Sequence, residues 1–247
     1  MTDRERILFN RAELLLGKDA MQKLSSSKVI LFGLGGVGGW CAESLARTGV
    51  GNITLVDADT VCPTNINRQV MATVPAIGTP KVEAMKERLL SINPEAHIDT
   101  IQRVYGFDTA DSFDLDSYDV VVDAIDSLTP KALLILRACD SSATLFSSMG
   151  AALKKDPTRV KTAEFWAVNG CPLAAALRKK FRRRQEFPSR KFRCVYSDEL
   201  LDGKSDEVFD DGSMSYTKKV VNGTHVNAVA TFGFVLGGLV EDFLMNR

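Results

Sequence analysis

Residues 28–57 constrain this chain more than any other stretch. An apolar run with β-branched residues, Lys28–Phe32 (KVILF), leads into Gly33, Gly35 and Gly38 in the spacing G-x-G-x-x-G. A run that is apolar at successive positions is what a parallel strand covered on both faces requires. Helical character follows from Val37 to Thr48, closed by Gly49, and a second strand, Asn52–Val56, ends at Asp57. Strand, glycine loop, helix and strand within about 30 residues make a βαβ unit. Glycines in this place permit a tight turn and close approach of backbone to phosphate. The helix N-terminus favours negative charge, and an acid about 20 residues on can bond ribose hydroxyls. The pattern predicts a nucleotide site built on Gly33, Gly35, Gly36, Gly38 and Asp57, with the nucleotide itself unspecified. The bland alternative is that the glycines only let helix and strand pack closely.

The alternation continues down the chain. Thr79-Pro80 opens a helix with Val82, Met85, Leu89 and Ile92 at helical spacing, and Asn93-Pro94 stops it. Strands are predicted at His97–Val104, around Val120–Val122 and at Ala143–Ser148, with a helix from Thr129-Pro130 to about Ala138. Val160–Phe165 is predicted as an added antiparallel strand. Ahead of them, Ile7 to Leu16 and a stretch through Leu24 predict two helices broken at Gly17. The expected fold is α/β: a doubly wound, mostly parallel Rossmann-like sheet with added antiparallel strands and helices on both faces. One domain is expected over 1–247, with N-terminal helices in 1–24, a nucleotide-binding core in 28–150 and a substrate-side region in 151–247. Beyond Phe181 the periodicity weakens, and residues 182–190 and 200–215, rich in charge, Ser, Gly and Asp, predict mobile loops. Residues 224–245 predict a packed helix, since its uninterrupted apolar part is shorter than the roughly 20 residues a membrane span needs.

Composition narrows the class. The chain is 45% hydrophobic and 25% charged, as in globular proteins. Five scattered cysteines without a C-x-x-C pair, and two distant histidines, argue against a disulfide scaffold and against zinc. The charged start MTDRERILFN lacks an apolar signal core, so a cytoplasmic location is expected. The net charge of zero hides a segregation. Arg178, Lys179, Lys180, Arg182, Arg183, Arg184, Arg190, Lys191 and Arg193 form a basic block, and Asp198, Glu199, Asp202, Asp206, Glu207, Asp210 and Asp211 an acidic one. Phe181, Phe187 and Phe192 are interleaved with the cations. That combination predicts an RNA-binding groove, against the alternative of a solvated loop face.

Chemistry-bearing residues follow the second strand. After Asp57 and Asp59 come Asn65, Arg68 and Gln69, just past the strand's C-terminal end. Lys81 falls in the first turn of a helix, where a cation opposes the helix dipole unless an anion lies beside it. Asp126, next to Ser127, ends a buried strand at the edge where open α/β sheets hold ligands. A carboxylate there, among phosphates, suits Mg²⁺, although capping of the next helix would also account for it. A triphosphate uses such cations; a nicotinamide does not.

These residues carry a resemblance. GLGGVGG, LVDADTV, NINRQ, GTPK and DAID, in this order and spacing, resemble the ubiquitin-activating superfamily of adenylyltransferases. The resemblance implies ATP with Mg²⁺, and attack by a carboxylate on the α-phosphate. Asp57 then matches the ribose-binding acid, Asn65 and Arg68 the phosphate side, Lys81 the ATP-binding lysine and Asp126 the Mg²⁺-linked aspartate. Arg11, in FNRAELLLG, resembles the arginine that homodimers of this kind insert into the partner's site. Further along, SMGAALKKDPTRV, CPLAAALRKKFRRR, CVYSDE and VATFGFVLGGLV are similar to the tRNA threonylcarbamoyladenosine dehydratase branch. That branch implies tRNA as partner and substrate, cyclisation of the modified base with net loss of water, and room for a sulfur-transfer partner of the cysteine desulfurase type. Intramolecular attack needs no cysteine nucleophile, because the reacting groups are held at high effective concentration. Cys171 stands where the branch usually has Asp. It is a candidate thiol, as Cys194 is more weakly, against the reading of small half-buried cysteines. Two other readings stay open: an adenylyltransferase for a ubiquitin-like sulfur carrier, and a dinucleotide-binding oxidoreductase or redox sensor.

Overall fold

The computed structural model describes residues 2–202, 204–205 and 221–247. Parallel strands β1 (Lys28–Phe32), β2 (Asn52–Val56), β3 (His97–Ile101), β4 (Val120–Asp123) and β5 (Thr144–Ser148) alternate with helices α4 (Gly36–Arg47), α5 (Lys81–Ile92) and α6 (Leu128–Asp140). The sheet has seven strands in the order β3-β2-β1-β4-β5-β7-β6. Here β6 is Val160–Glu164, β7 is Arg193–Ser197, and α7, Pro172–Arg184, connects them. β7 pairs parallel with β5, and β6 closes the edge antiparallel to β7. β1 stands mid-sheet, and its residues divide by alternation. Val29 and Leu31 enter the core under α3 (Lys18–Ser26), α4, α5 and α8 (Val226–Asn246), whereas Ile30 and Phe32 enter the core under α6 and α7. Burial on both faces is why this strand carries no polar position after Lys28.

Several boundaries differ from the expectations. The N-terminal stretch forms three helices, α1 (Asp3–Leu8), α2 (Asn10–Leu16) and α3, broken at Phe9 as well as at Gly17. β3 stops at Ile101, three residues short of the expected end. Residues 182–184 are helical, because Ala174, Leu177 and Phe181 form a buried stripe that carries α7 on to Arg184, where Gln185 ends it in the left-handed region at φ 55°. Of the expected loop at 200–215, Lys204–Ser205 is a short strand, β8, paired with β9 (Val221–Asn222); most of the rest, including Asp206, Glu207, Asp210 and Asp211, lies outside the described residues. α8 is long and apolar enough to cross a membrane by length and composition. Here it packs on α4 at close range. A Cβ on Gly233 would stand 2.5 Å from the Trp40 Cβ, and one on Gly237 2.9 Å from the Ser44 Oγ. The Glu241 carboxylate accepts from Ser44 Oγ at 2.9 Å and Thr48 Oγ1 at 3.0 Å, so this acid is hydrogen-bonded where α8 meets α4.

Candidate active site

The glycine loop lies at the carboxyl end of β1. Gly33 adopts φ 92°, and a Cβ there would meet the Ala124 carbonyl oxygen at 2.8 Å; one on Gly38 would stand 1.8 Å from the Gly33 carbonyl oxygen. Neither position admits a side chain without moving backbone. Gly36 is bounded by α8, whose Val229 would lie 2.3 Å from an added Cβ. Gly35 caps α4 with no side-chain hydrogen bond and no acid in the first turn. Among the described residues no side chain caps the first amides of α4, and a helix N-terminus left so favours an anion.

Asp57, half-buried at the end of β2, ties the loop to its neighbour. Its Oδ2 accepts from the Leu34 amide at 2.6 Å and its Oδ1 from the Asp59 amide at 2.9 Å. Loss of surrounding water pushes its carboxyl upward from the ordinary range, and the nearby Lys81 ammonium opposes that rise. Lys81 is buried, and its Nζ lies 2.8 Å from Asp59 Oδ2. The anion that offsets its place against the helix dipole is thus supplied by the chain itself.

Residues 62–69 form a turn beside this pair. Asn65 is buried and accepts the Cys62 amide on Oδ1 at 3.1 Å, which fixes the turn. The Arg68 guanidinium is partly exposed and donates to Thr64 O at 2.8 Å and Asn67 Oδ1 at 2.9 Å. Its carbonyl accepts from Trp40 Nε1 at 3.1 Å, joining the turn to α4. Gln69 is also buried, and its Oε1 has no hydrogen-bond partner among the described residues. A buried acceptor of this kind calls for an explanation, a ligand or water among them.

Asp126 and Ser127 are exposed at the carboxyl edge, and Ser127 Oγ donates to Asp126 Oδ1 at 3.3 Å. Beneath them lies a group the sequence reading missed. Asp123 and Lys131, both fully buried, pair at 2.8 Å, and Ser147 Oγ donates to Asp123 Oδ2 at 2.7 Å. Asp123 Oδ1 accepts the Ile125 amide at 3.1 Å, and Lys131 Nζ donates to the Ile125 carbonyl at 3.0 Å. The pair therefore clasps both backbone groups of the residue before Asp126. The available signal was a second acid, Asp123, inside an apolar strand.

Other expected residues lie elsewhere. Arg11 is exposed on α2, whose neighbours Ile7, Leu8, Leu14 and Leu15 are 48–84% exposed. Cys171 is buried at the start of α7, and Cys194 is fully buried with its thiol pushed well above the usual range by loss of water. The basic block is not one surface. Arg178 turns inward onto the carbonyls of Phe165 and Val168, at 3.1 and 2.8 Å. Arg190 donates to the carbonyls of Ala138 and Ala143. Arg193 begins β7, in register with Phe146 of β5, and bonds Thr162 Oγ1 at 2.7 Å; Lys191 is exposed two residues earlier. Lys179, Arg182, Arg183 and Arg184 are exposed on α7, while Lys180 Nζ reaches Thr129 Oγ1 at 3.1 Å. Phe181 and Phe192 belong to the core, and only Phe187 of the three interleaved rings is exposed. Among the described residues, no three His, Cys, Asp or Glu side chains gather into a metal-binding cluster. Mg²⁺ does not require one, since it is commonly held by one or two carboxylates with substrate phosphates and water; Asp126 meets that requirement.

A doubly wound sheet whose carboxyl edge gathers a side-chain-free glycine loop, an acid on the second strand and flanking cations defines a nucleotide-binding α/β protein. The chain belongs to the ThiF family, whose profile matches residues 9–240. It is 36% identical to the tRNA threonylcarbamoyladenosine dehydratase of Bacillus subtilis, over 96% of this chain and 94% of that one. The Escherichia coli protein of the same name is 38% identical over 74% of this chain and 68% of its own. The crystal structure of E. coli tRNA N6-threonylcarbamoyladenosine dehydratase in complex with ATP superimposes with a TM-score of 0.86 and 33% identity, covering 99% of this chain and 96% of that one. The E. coli molybdopterin-synthase adenylyltransferase is 36% identical over 52% of each chain.

Proposed function

We propose that this protein is an ATP-dependent tRNA-modifying enzyme, which adenylates the carboxylate of threonylcarbamoyladenosine in tRNA and promotes its cyclisation with net loss of water. The observation that carries the reading is end-to-end similarity to dehydratases of that name, together with a carboxyl edge suited to ATP. ATP supplies the α-phosphate that converts the carboxylate into an activated acyl group. The amides of α4 and the Arg68 guanidinium hold phosphate charge, Asp57 and the Asp59–Lys81 pair border the ribose and phosphate side, and Gln69 lies beside Arg68 in the same turn. Asp126, with Ser127 beside it, would hold Mg²⁺, which would offset the charge of the phosphates. A nitrogen of the threonylcarbamoyl group then displaces AMP, and no protein thiol is required, in keeping with the burial of Cys171 and Cys194. The reaction runs in one catalytic unit spanning the chain, in the cytoplasm, without zinc, with room for a sulfur-transfer partner of the cysteine desulfurase type. AMP release should rise with tRNA bearing threonylcarbamoyladenosine and be indifferent to a ubiquitin-like sulfur-carrier protein; the reverse dependence would transfer the chain to carrier activation.

The exposed leucine-rich face of α1 and α2 fits a twofold contact with a second copy, which would bring Arg11 to the partner's phosphates. Mixing inactive Arg11→Ala chains with inactive Asp126→Ala chains should then restore part of the AMP release. Subunit exchange without any recovery would remove Arg11 from the site.

A further inference from the structure

We propose that Trp166 and Phe187, with Arg182 beside them, form a shelf on which an unpaired nucleobase of the RNA substrate stacks; this rests on the tRNA reading above. Trp166 is 37% and Phe187 49% exposed, and their ring centroids are 6.2 Å apart. The Arg182 guanidinium lies 5.8 Å from the Trp166 ring centroid. Exposed aromatic surface flanked by cations suits a ligand with flat π-faces on a polyanionic backbone, and single-stranded RNA offers both.

The turn that presents Trp166 is held from three sides. Phe165, fully buried, packs edge-on against the indole at 5.2 Å. The Glu164 carboxylate accepts the Trp166 amide at 3.0 Å. Arg178 grips the carbonyls of Phe165 and Val168, which explains why a cation of the basic block turns inward. An exposed ring on a turn fixed in advance loses little conformational freedom on binding. The shelf is also tied to the nucleotide edge, because Lys180, on the same helix as Arg182, bonds Thr129, three residues after Asp126. Stacking reads any base by its face, so the shelf favours unpaired loop nucleotides over duplex without demanding a sequence.

The test compares an anticodon stem-loop RNA with a blunt duplex of equal charge. Trp166→Ala should weaken stem-loop binding roughly tenfold or more, as removal of one base–aromatic stack does. Duplex affinity and the slope of log affinity against log salt should stay unchanged, and Trp166→Phe should recover most of the affinity. Arg182→Ser with Arg183→Ser should instead lower the slope, by about 0.7–0.9 for each phosphate no longer neutralised, for both RNAs. The thermal midpoint of each variant, set beside the parent's, separates misfolding from removal of the stack. If the parent binds the stem-loop and Trp166→Ala binds it equally, or loses both RNAs alike with its fold intact, the shelf is wrong and the tRNA reading stands. If the parent binds neither RNA, the tRNA reading itself fails. If Trp166→Ala loses affinity only for vesicles of anionic lipid, the surface belongs to a membrane and the inference is overturned.

Discussion

Arg68→Ala and Asp126→Ala should each lower AMP and pyrophosphate formation on the order of a hundredfold to a thousandfold, with the fold retained. Removing one preorganised group aimed at developing charge typically costs that much. Both side chains are at least partly exposed at the carboxyl edge, so their removal leaves no buried cavity. Arg68 is already held in place by Thr64 and Asn67, so its charge needs little reorganisation when phosphate arrives. Asp126 follows a clamped Ile125, which serves the same end for its carboxylate. Product release measured with pyrophosphate-coupled and AMP-coupled assays, alongside circular dichroism, checks this. Turnover within threefold of the parent in either folded variant would remove that residue from the phosphate site.

Lys131→Met should have the largest effect on stability. It leaves the Asp123 carboxylate in the core without its counter-ion and breaks the bond to the Ile125 carbonyl. Breaking a buried pair from one side typically costs about 3–5 kcal/mol. Replacing both partners together, as Asp123→Leu with Lys131→Met, should recover part of that stability, because no unpaired charge remains. The double variant should still bind ATP poorly, since nothing then clasps Ile125 ahead of Asp126. Urea denaturation of the single and double variants, with nucleotide binding measured on the folded double, separates the two effects. A single variant within about 1 kcal/mol of the parent would show that the pair contributes little.

The central βαβ unit was legible because local rules coincide there. KVILF and NITLV begin and end where the structure places β1 and β2, since an apolar run bounded by Ser, Gly and Asp has one reading at that length. Asp57 follows β2 directly, as expected, whereas β4 ends at Asp123 and Asp126 lies three residues beyond the strand it was expected to end. β7 escaped, because RCVYS is short, follows a basic segment, and is stabilised by β5, which ends 45 residues earlier, and by β6. The last turn of α7 escaped because its charges mask the 174, 177, 181 stripe that fixes it. Contacts between distant segments are invisible in composition. The basic block looked continuous as a string, yet Arg178 and Arg190 are engaged by backbone carbonyls of other segments and Arg193 lies in the sheet beside Phe146. Phe181 and Phe192 joined the core, and Trp166, outside the block altogether, is exposed beside Phe187.

Incubating the purified protein with ATP, Mg²⁺ and tRNA carrying threonylcarbamoyladenosine, then digesting the tRNA to nucleosides for mass spectrometry, tests the central claim most directly. The threonylcarbamoyladenosine peak should give way to a species lighter by one water, only when ATP is present and not with Asp126→Ala. An unchanged nucleoside profile, from a preparation that binds both ATP and this tRNA, would contradict it.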